Sequence, residues 1–320
     1  MRLRVLSASQ VRAALPMRTA IDTMAAVFGA LSAGRVRMPP RGRLPTNDGV
    51  TLVMPAQVAG SGDAVVKVVS VHEGNPHLGL PTINAVVVVL DAATGVPRAV
   101  LDGTELTAIR TGAAGGLAAD ILARGDASVA AVFGAGVQAR RQIEALLAIR
   151  PITEVRLVAR TGRSAQRLAA ELATWRDAPE VRLGLDPEAA VSGADIVVTA
   201  TSSVMPVFPG NALSPGTHVT AVGAYLPTVR ELDDMTMRRA ARVVVDSRAA
   251  AAEEAGDLLL AGVGPTAEIG EIVNGTAAGR GTEDEITVFK SVGVAAQDAA
   301  AATAVLAAAE QSALGTTVEL

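Results

Sequence analysis

An α/β fold is predicted for this chain, a doubly wound parallel sheet preceded by a second, α+β domain. Three observations carry the prediction. After Ser128, short apolar runs alternate with helical patterns, the rhythm of parallel strands joined by crossover helices. Before that point, valine-rich runs are separated by turn residues, as strands in hairpins are. At the join, the run 128–133 leads directly into Gly134-Ala135-Gly136-Val137-Gln138-Ala139 and then into a helical pattern. This is the glycine-rich turn of a Rossmann-type dinucleotide-binding unit. Gly134 permits the tight turn, Gly136 lets backbone approach a pyrophosphate, and Ala139 keeps the helix near the sheet. The helix N-terminus adds free N–H groups and a partial positive charge. Glycine turns also join strands to helices without any ligand, so the flanking strand and helix are what favour a cofactor.

Taken in order, residues 7–33 read as helical, with a capped start and apolar residues at helical spacing. Met38-Pro39-Pro40-Arg41-Gly42-Arg43 breaks that pattern. Strand-like runs follow at 50–54, 64–71 and 82–90, and Ala92-Ala93-Thr94-Gly95 looks like a hairpin turn. Residues 104–122 form a helix dense in Ala and Gly, suited to close approach by another helix. Further strands are expected at 155–159, 181–185, 196–199, 218–222 and 243–245, with an alanine-rich helix over 294–313. Two domains follow: 1–116, to which 294–320 return, and a dinucleotide-binding domain over 117–293. No repeat or long charge run suggests a third.

The 320 residues are 50% apolar but 2% aromatic, so a sizeable core must be built from Ala, Val, Leu and Ile. The lack of cysteine excludes disulfides, thiolate metal sites and a cysteine nucleophile. A net charge of −4 without a basic tract argues against a nucleic-acid partner. The N-terminal residues mix charges with apolar side chains and lack a cleavage-like site, unlike a signal peptide. Apolar stretches are too short or too Gly-rich to span a membrane. A cytoplasmic protein is expected.

Which dinucleotide is bound depends on the end of the second strand of the alternating unit. An NAD-selective unit carries an acid there for the ribose hydroxyls. Here the strand runs into Arg160-Thr161-Gly162-Arg163-Ser164, with no carboxylate. Arg160, Thr161 and Arg163 suit a 2′-phosphate, which favours NADPH while leaving NADH open. The competing reading makes both arginines solvated loop charges.

Several segments resemble one family, the ornithine cyclodeaminase/μ-crystallin family: MPPRGRL, TLVMPA, VVKVVS, TELTAIRTGAA, VFGAGVQA, GADIVVTATSS, AVGAYLPTVRELD, VVVDS and TVFKSVG. They run in family order from about residue 38 to about residue 298. The resemblance implies two domains, the first for substrate binding and dimerisation, and a homodimer built through it. It also implies that Arg41, Lys67 and Arg110 hold a substrate carboxylate beside a nicotinamide, with Arg43 a competitor for the place of Arg41. By the same resemblance Thr82, Arg110, Gln138, Thr201, Ser202, the Val222-Gly223-Ala224 turn and Ser291 contact the cofactor. Each of these alone could instead be a satisfied turn or capping residue, a reading as good as the functional one for Ser202 and Ser291.

The residues speak partly for themselves. Lys67 interrupts a run of valines, where an unpaired buried ammonium would cost several kcal/mol; otherwise its strand is an edge and Lys67 faces water. Arg110 falls early in its helix, where the dipole disfavours a cation unless an anion is near. One departure separates branches of the family. Cyclodeaminases and related dehydrogenases carry an aspartate two residues after the glycine of Val222-Gly223-Ala224, and here Tyr225 stands there. A phenol with a pKa of about 10 cannot replace that carboxylate, so the resemblance points to the ketimine reductases. Tyr225 then bonds substrate or walls the pocket.

Other constellations are weaker. His72-Glu73 and His77 lie near one another, but two imidazoles in a Gly-Asn-Pro loop with no third ligand at useful spacing read as a solvated loop, so no metal is expected. Asp233-Asp234 and Glu253-Glu254 read as solvated helix faces. The expected activity is NADPH-dependent reduction of small cyclic ketimine carboxylates to L-proline- or L-pipecolate-type products, with Lys67 as the catalytic candidate. An ornithine cyclodeaminase, an alanine dehydrogenase or linear imino-acid reductase, and a non-catalytic NADPH-dependent binding protein are the alternatives.

Overall fold

Two separate sheets take up the two halves of the sequence pattern. The structure, a computed structural model, describes residues 2–319. It divides into one unit of Met1–Arg110 with Val294–Leu320 and another of Thr111–Gly293. The first begins β1 (Arg2–Leu6), α1 (Ala8–Ala14), α2 (Met17–Ser32), β2 (Val36–Arg37), β3 (Gly42–Thr46), β4 (Gly49–Val58), β5 (Asp63–Val71), β6 (Ile83–Asp91), β7 (Pro97–Asp102) and α3 (Gly103–Leu122). The single helix expected over 7–33 is therefore two. Pro16 lacks an N–H and disfavours helical backbone at Leu15, which sits at φ −131° and ends α1. The expected break at 38–43 holds part of an edge strand, β3, where Pro45 removes no bond from a second neighbour. The run expected at 50–54 extends to Val58 through Pro55. It tolerates that proline because β3 pairs with β4 only up to Val53 and β2 only from Gln57.

The second unit contains β8 (Val129–Phe133), α4 (Val137–Ile149), β9 (Glu154–Val158), α5 (Gly162–Leu172), β10 (Glu180–Arg182), α6 (Pro187–Val191), β11 (Ile196–Thr199), β12 (His218–Ala221), α7 (Asp234–Arg239), β13 (Arg242–Val245), α8 (Arg248–Glu254), α9 (Gly256–Ala261), β14 (Ala267–Glu268), α10 (Ile269–Val273) and β15 (Thr287–Lys290). Every pairing is parallel, in the order β10-β9-β8-β11-β12-β15-β13-β14. The order reverses between β8 and β11, so this is a doubly wound sheet whose ligand crevice lies at the strand carboxyl ends. The run expected to 185 stops at Arg182, shortly before Gly184 takes φ +78°.

Small residues do the work that aromatics do elsewhere. A Cβ on Gly112 would lie 2.7 Å from the Arg141 carbonyl, and one on Gly115 would lie 1.9 Å from Gln142 Oε1. The Ala/Gly run of α3 thus lets it touch α4, and Gln142 Nε2 bonds the Thr111 carbonyl at 2.9 Å. Ala139 is buried among Ala119, Val132 and Ile143. The one tryptophan, Trp175, lies under the Arg140 guanidinium, 5.3 Å from it.

The chain then returns to the first unit with α11 (Ala295–Gln311) and β16 (Thr316–Glu319). The first sheet runs β16-β1-β7-β6-β5-β4-β2, with β3 beside β4. It is antiparallel except for β1 and β7. Its inner face buries Leu52, Met54, Val65, Val69, Val87, Val89 and Leu101, and α11 covers β4, β5 and β6 there. The opposite face carries Val53, Val66, Val68, Val86, Val88 and Val100 in register, none of them fully buried.

Candidate active site

Lys67 sits at the centre of the first sheet, paired across to Met54 on β4 and Val87 on β6. The edge-strand alternative is thereby corrected: the side chain points to the buried face and is 2% exposed. Its partner comes from α11, where Asp298 Oδ2 lies 2.6 Å from Lys67 Nζ. Asp298 Oδ1 accepts from Arg110 Nε at 3.0 Å, and Gln297 Oε1 accepts from Arg110 Nη1 at 3.0 Å. Arg110 lies two turns into α3, beyond the reach of the helix dipole, so it is the burial of its guanidinium that calls for this anion. Asp298 in turn lies in the first turn of α11, where the helix dipole favours a carboxylate.

The charges do not balance. Lys67 and Arg110 are two buried cations facing one carboxylate. Burial draws the Lys67 pKa from 10.5 down to about 8; Asp298 opposes that fall, while Arg110 and Arg41 add to it. Burial pushes the Asp298 carboxyl up, but the charges and hydrogen bonds of Arg110 and Lys67 outweigh it and hold the group below the usual range. Arg41 is thus close enough to act on Lys67, whereas Arg43 lies exposed on β3. Gln297 Nε2 is buried without a hydrogen-bond partner among the described residues. A buried cluster with surplus positive charge and an unused donor suits a small carboxylate. Thr82 belongs to the same unit, half-buried before β6, its carbonyl accepting from His72 N.

The second unit carries the dinucleotide-type turn. Gly134 has φ +110°, and a Cβ there would lie 2.4 Å from the Ala200 carbonyl, so only glycine fits. Gly136 caps α4 with no side-chain bond, and a Cβ on it would meet nothing within 4 Å. Val137 is exposed, and Gln138 Oε1 is buried with no partner among the described residues. Free helix N–H groups and open space above the glycine fit a bound pyrophosphate, and the unpaired Gln138 oxygen suits a hydroxyl donor of the ligand. At the end of β9, Arg160 and Arg163 are exposed and make no ion pair among the described residues. The Thr161 hydroxyl caps α5, accepting from Ser164 N at 3.3 Å.

The hydroxyls at the other strand ends are mostly committed. Thr201 Oγ1 donates to Glu231 at 2.7 Å, and Ser291 Oγ donates to Asp246 at 2.7 Å. Burial pushes the Asp246 carboxyl up even though Ser291 and three backbone N–H groups bond it. Ser202 is exposed. Val222, Gly223 and Ala224 follow β12 at the edge of the crevice, and Tyr225 is half-buried against the cluster that includes Phe133 and Phe208. His72 is half-buried and His77 exposed, and no group of three or more metal-ligating side chains occurs among the described residues. For Asp233-Asp234 the solvated-face reading needs correction. Asp233 caps α7, accepting from Thr236 N at 2.7 Å and Gly210 N at 2.9 Å, and Asp234 pairs with Arg230. Glu253 is exposed, Glu254 half-buried.

Sequence reasoning passed over Asp298, Gln297, Glu231, Asp257 and Lys290, all buried and charged or polar. A lone acid in the first turn of an alanine-rich helix was the available signal for Asp298.

The sequence profile of the ornithine cyclodeaminase/mu-crystallin family matches residues 1–313. The chain belongs to that family. Within it, the chain is 39% identical over 303 residues to a Delta(1)-pyrroline-2-carboxylate reductase of Bacillus cereus, across 92% of this chain and 93% of the relative. Among solved structures it resembles Thermococcus litoralis Delta(1)-pyrroline-2-carboxylate reductase in complex with NADH and L-proline. That match has a TM-score of 0.94 and 34% identity, covering 98% of this chain and 100% of the other. An archaeal alanine dehydrogenase dimer with bound NAD gives a TM-score of 0.93 and 33% identity, covering 100% of both chains. No helix among the described residues is long and apolar enough to cross a membrane.

Proposed function

We propose that this family member is a cytoplasmic, NADPH-dependent reductase of small cyclic ketimine carboxylates such as Δ1-pyrroline-2-carboxylate and Δ1-piperideine-2-carboxylate, working as a homodimer. The observation that carries the reading is the buried Lys67–Asp298–Arg110 cluster with its surplus positive charge. A monocarboxylate supplies the missing negative charge. Arg41 adds a third cation within electrostatic reach. The relatives named reductases support the reaction type.

In this reading Lys67, Arg110 and Arg41 bind the substrate carboxylate and thereby fix the C=N bond, which removes much of the entropic barrier to reaction. A reduced nicotinamide supplies the hydride when bound. Gly134, Gly136, Val137 and Gln138 form the turn at its pyrophosphate, Ala139 keeps that turn's helix against the sheet, and Arg160, Thr161 and Arg163 hold a 2′-phosphate. The substrate nitrogen can carry its own proton. Lys67, with its pKa drawn to about 8, can also hold or release a proton at Nζ near neutral pH. Tyr225 offers a phenol where deamination requires a carboxylate. The valine face of the first sheet supports the homodimer, because an apolar surface of that kind marks an interaction site.

A second reading, a linear imino-acid reductase, is favoured by the likeness to the alanine dehydrogenase. NADPH consumption with the two cyclic ketimines, and with pyruvate plus ammonia, separates them. The cyclic substrates should be turned over faster by the unmodified protein. Preference for pyruvate and ammonia would establish the second reading, and conversion of L-ornithine to proline and ammonia without net cofactor change would overturn both.

A further inference from the structure

Glu231 lies between β12 and α7 and is fully buried, yet no charged side chain among the described residues pairs with it. Its compensation comes from five donors. Oε1 accepts from Thr201 N at 2.7 Å and Thr201 Oγ1 at 2.7 Å. Oε2 accepts from Gly223 N at 2.7 Å, Thr199 Oγ1 at 3.0 Å and Ala224 N at 3.2 Å. One carboxylate therefore ties the turn after β11 to the turn after β12. Gly223 is glycine for the same reason: a Cβ there would lie 2.5 Å from Glu231 Oε1 and 2.3 Å from the Thr201 carbonyl.

The clamp is itself anchored. Glu231 N and Leu232 N donate to Asp257 Oδ1 at 2.7 and 2.8 Å. Asp257 Oδ2 lies 2.7 Å from Lys290 Nζ, which also donates to the Ala224 carbonyl at 2.6 Å. Ala224 is thus gripped through its N–H by Glu231 and through its C=O by Lys290. Glu231, Asp257 and Lys290 are all fully buried, so the ring ties both turns to the interior.

β11 and β12 lie on the side of the β8/β11 reversal away from β9 and β10. In a doubly wound sheet the two halves of a dinucleotide lie on opposite sides of that reversal. The Gly134–Ala139 turn and the end of β9 serve the adenosine half. We propose that Glu231, held by Asp257 and Lys290, is the positioning residue for the nicotinamide half: it sets the two turns that face this half without touching the ligand. The proposal rests on the dinucleotide reading above.

Binding of NADPH and of 2′,5′-ADP, the adenosine half alone, tests it by calorimetry on the full-length protein. Glu231→Gln sets an NH2 group against two or three donors, each lost charge-assisted bond weakening the turn. NADPH affinity should fall about tenfold or more, with 2′,5′-ADP affinity held within about twofold. Thr199→Val removes one donor and keeps the carboxylate, and should show a smaller loss with the same selectivity. Equal loss of both ligands would mean a merely structural role and overturn the proposal, as would unchanged NADPH binding. If Glu231→Gln does not fold, Thr199→Val decides by the same criterion. Unmodified protein that binds neither NADPH nor NADH would overturn the dinucleotide reading, and this proposal with it.

Discussion

Substrate binding should be lost in a defined alkaline window, because the lysine at the centre of the proposed carboxylate site is drawn to a pKa of about 8. Burial is the main cause, with Arg110 and Arg41 adding to it against Asp298. A bound carboxylate favours the ammonium form, so binding above pH 8 must recruit a proton. Affinity for an irreducible planar analogue, pyrrole-2-carboxylate, should be flat below about pH 8 and fall about tenfold per unit above it, since one pKa unit is about 1.4 kcal/mol. Lys67→Met removes a charge-assisted bond of about 1.5–3 kcal/mol, or about ten- to a hundredfold in affinity. Its weaker binding should not vary with pH, and the unmodified protein should converge on it one to two units above the pKa. Calorimetry with saturating NADP at a series of pH values reads both curves. Stability of the empty protein should move the opposite way. A lysine whose folded pKa lies below its unfolded 10.5 favours folding most above that value and loses the contribution as pH falls through about 8. Flat affinity of the unmodified protein to about pH 9.5, or an equal slope in Lys67→Met, would refute the assignment of Lys67.

Two further outcomes are expected. Arg160→Asp should weaken NADPH about ten- to a hundredfold while leaving NADH nearly unchanged; equal loss of both in binding titrations would make Arg160 structural. Asp298→Asn should destabilise the protein by about 3–5 kcal/mol, since it leaves two buried cations facing each other. Lys67→Met should cost less, because Asp298 keeps Arg110, and urea unfolding followed by far-ultraviolet circular dichroism would expose the reverse order.

What could be read from the sequence was whatever obeys local periodicity. The run into Gly134 and the alternation after it follow from apolar spacing, and the structure has a strand, a turn and a helix there. The valine runs around Lys67 likewise form strands. Elements held by distant partners were not legible. Thr287–Lys290 is bounded by two polar residues, yet it is a fully buried central strand because Lys290 meets Asp257 and Thr287 Oγ1 bonds the Leu122 carbonyl. Arg2–Leu6 and Thr316–Glu319 pair across almost the full length of the chain, and neither forms a strand signal alone. At the candidate site Lys67 was legible because a Lys among valines violates a local rule, whereas Arg110, two turns into its helix, was legible through the family resemblance. Their counter-ion was not, since an aspartate in the first turn of a helix violates none.

The near-absence of aromatic side chains has a practical outcome for anyone following this protein by light. Trp175 and Tyr225, the sole tryptophan and tyrosine, both belong to the unit Thr111–Gly293. Intrinsic emission therefore reports on that unit only. The sheet that carries Lys67 can melt with no change in fluorescence, and a single smooth tryptophan transition would say nothing about whether the two units unfold together. The same scarcity is an asset in reverse: one emitter, stacked under Arg140 on the helix that starts at the glycine turn, gives energy transfer to a bound reduced nicotinamide from a single known origin.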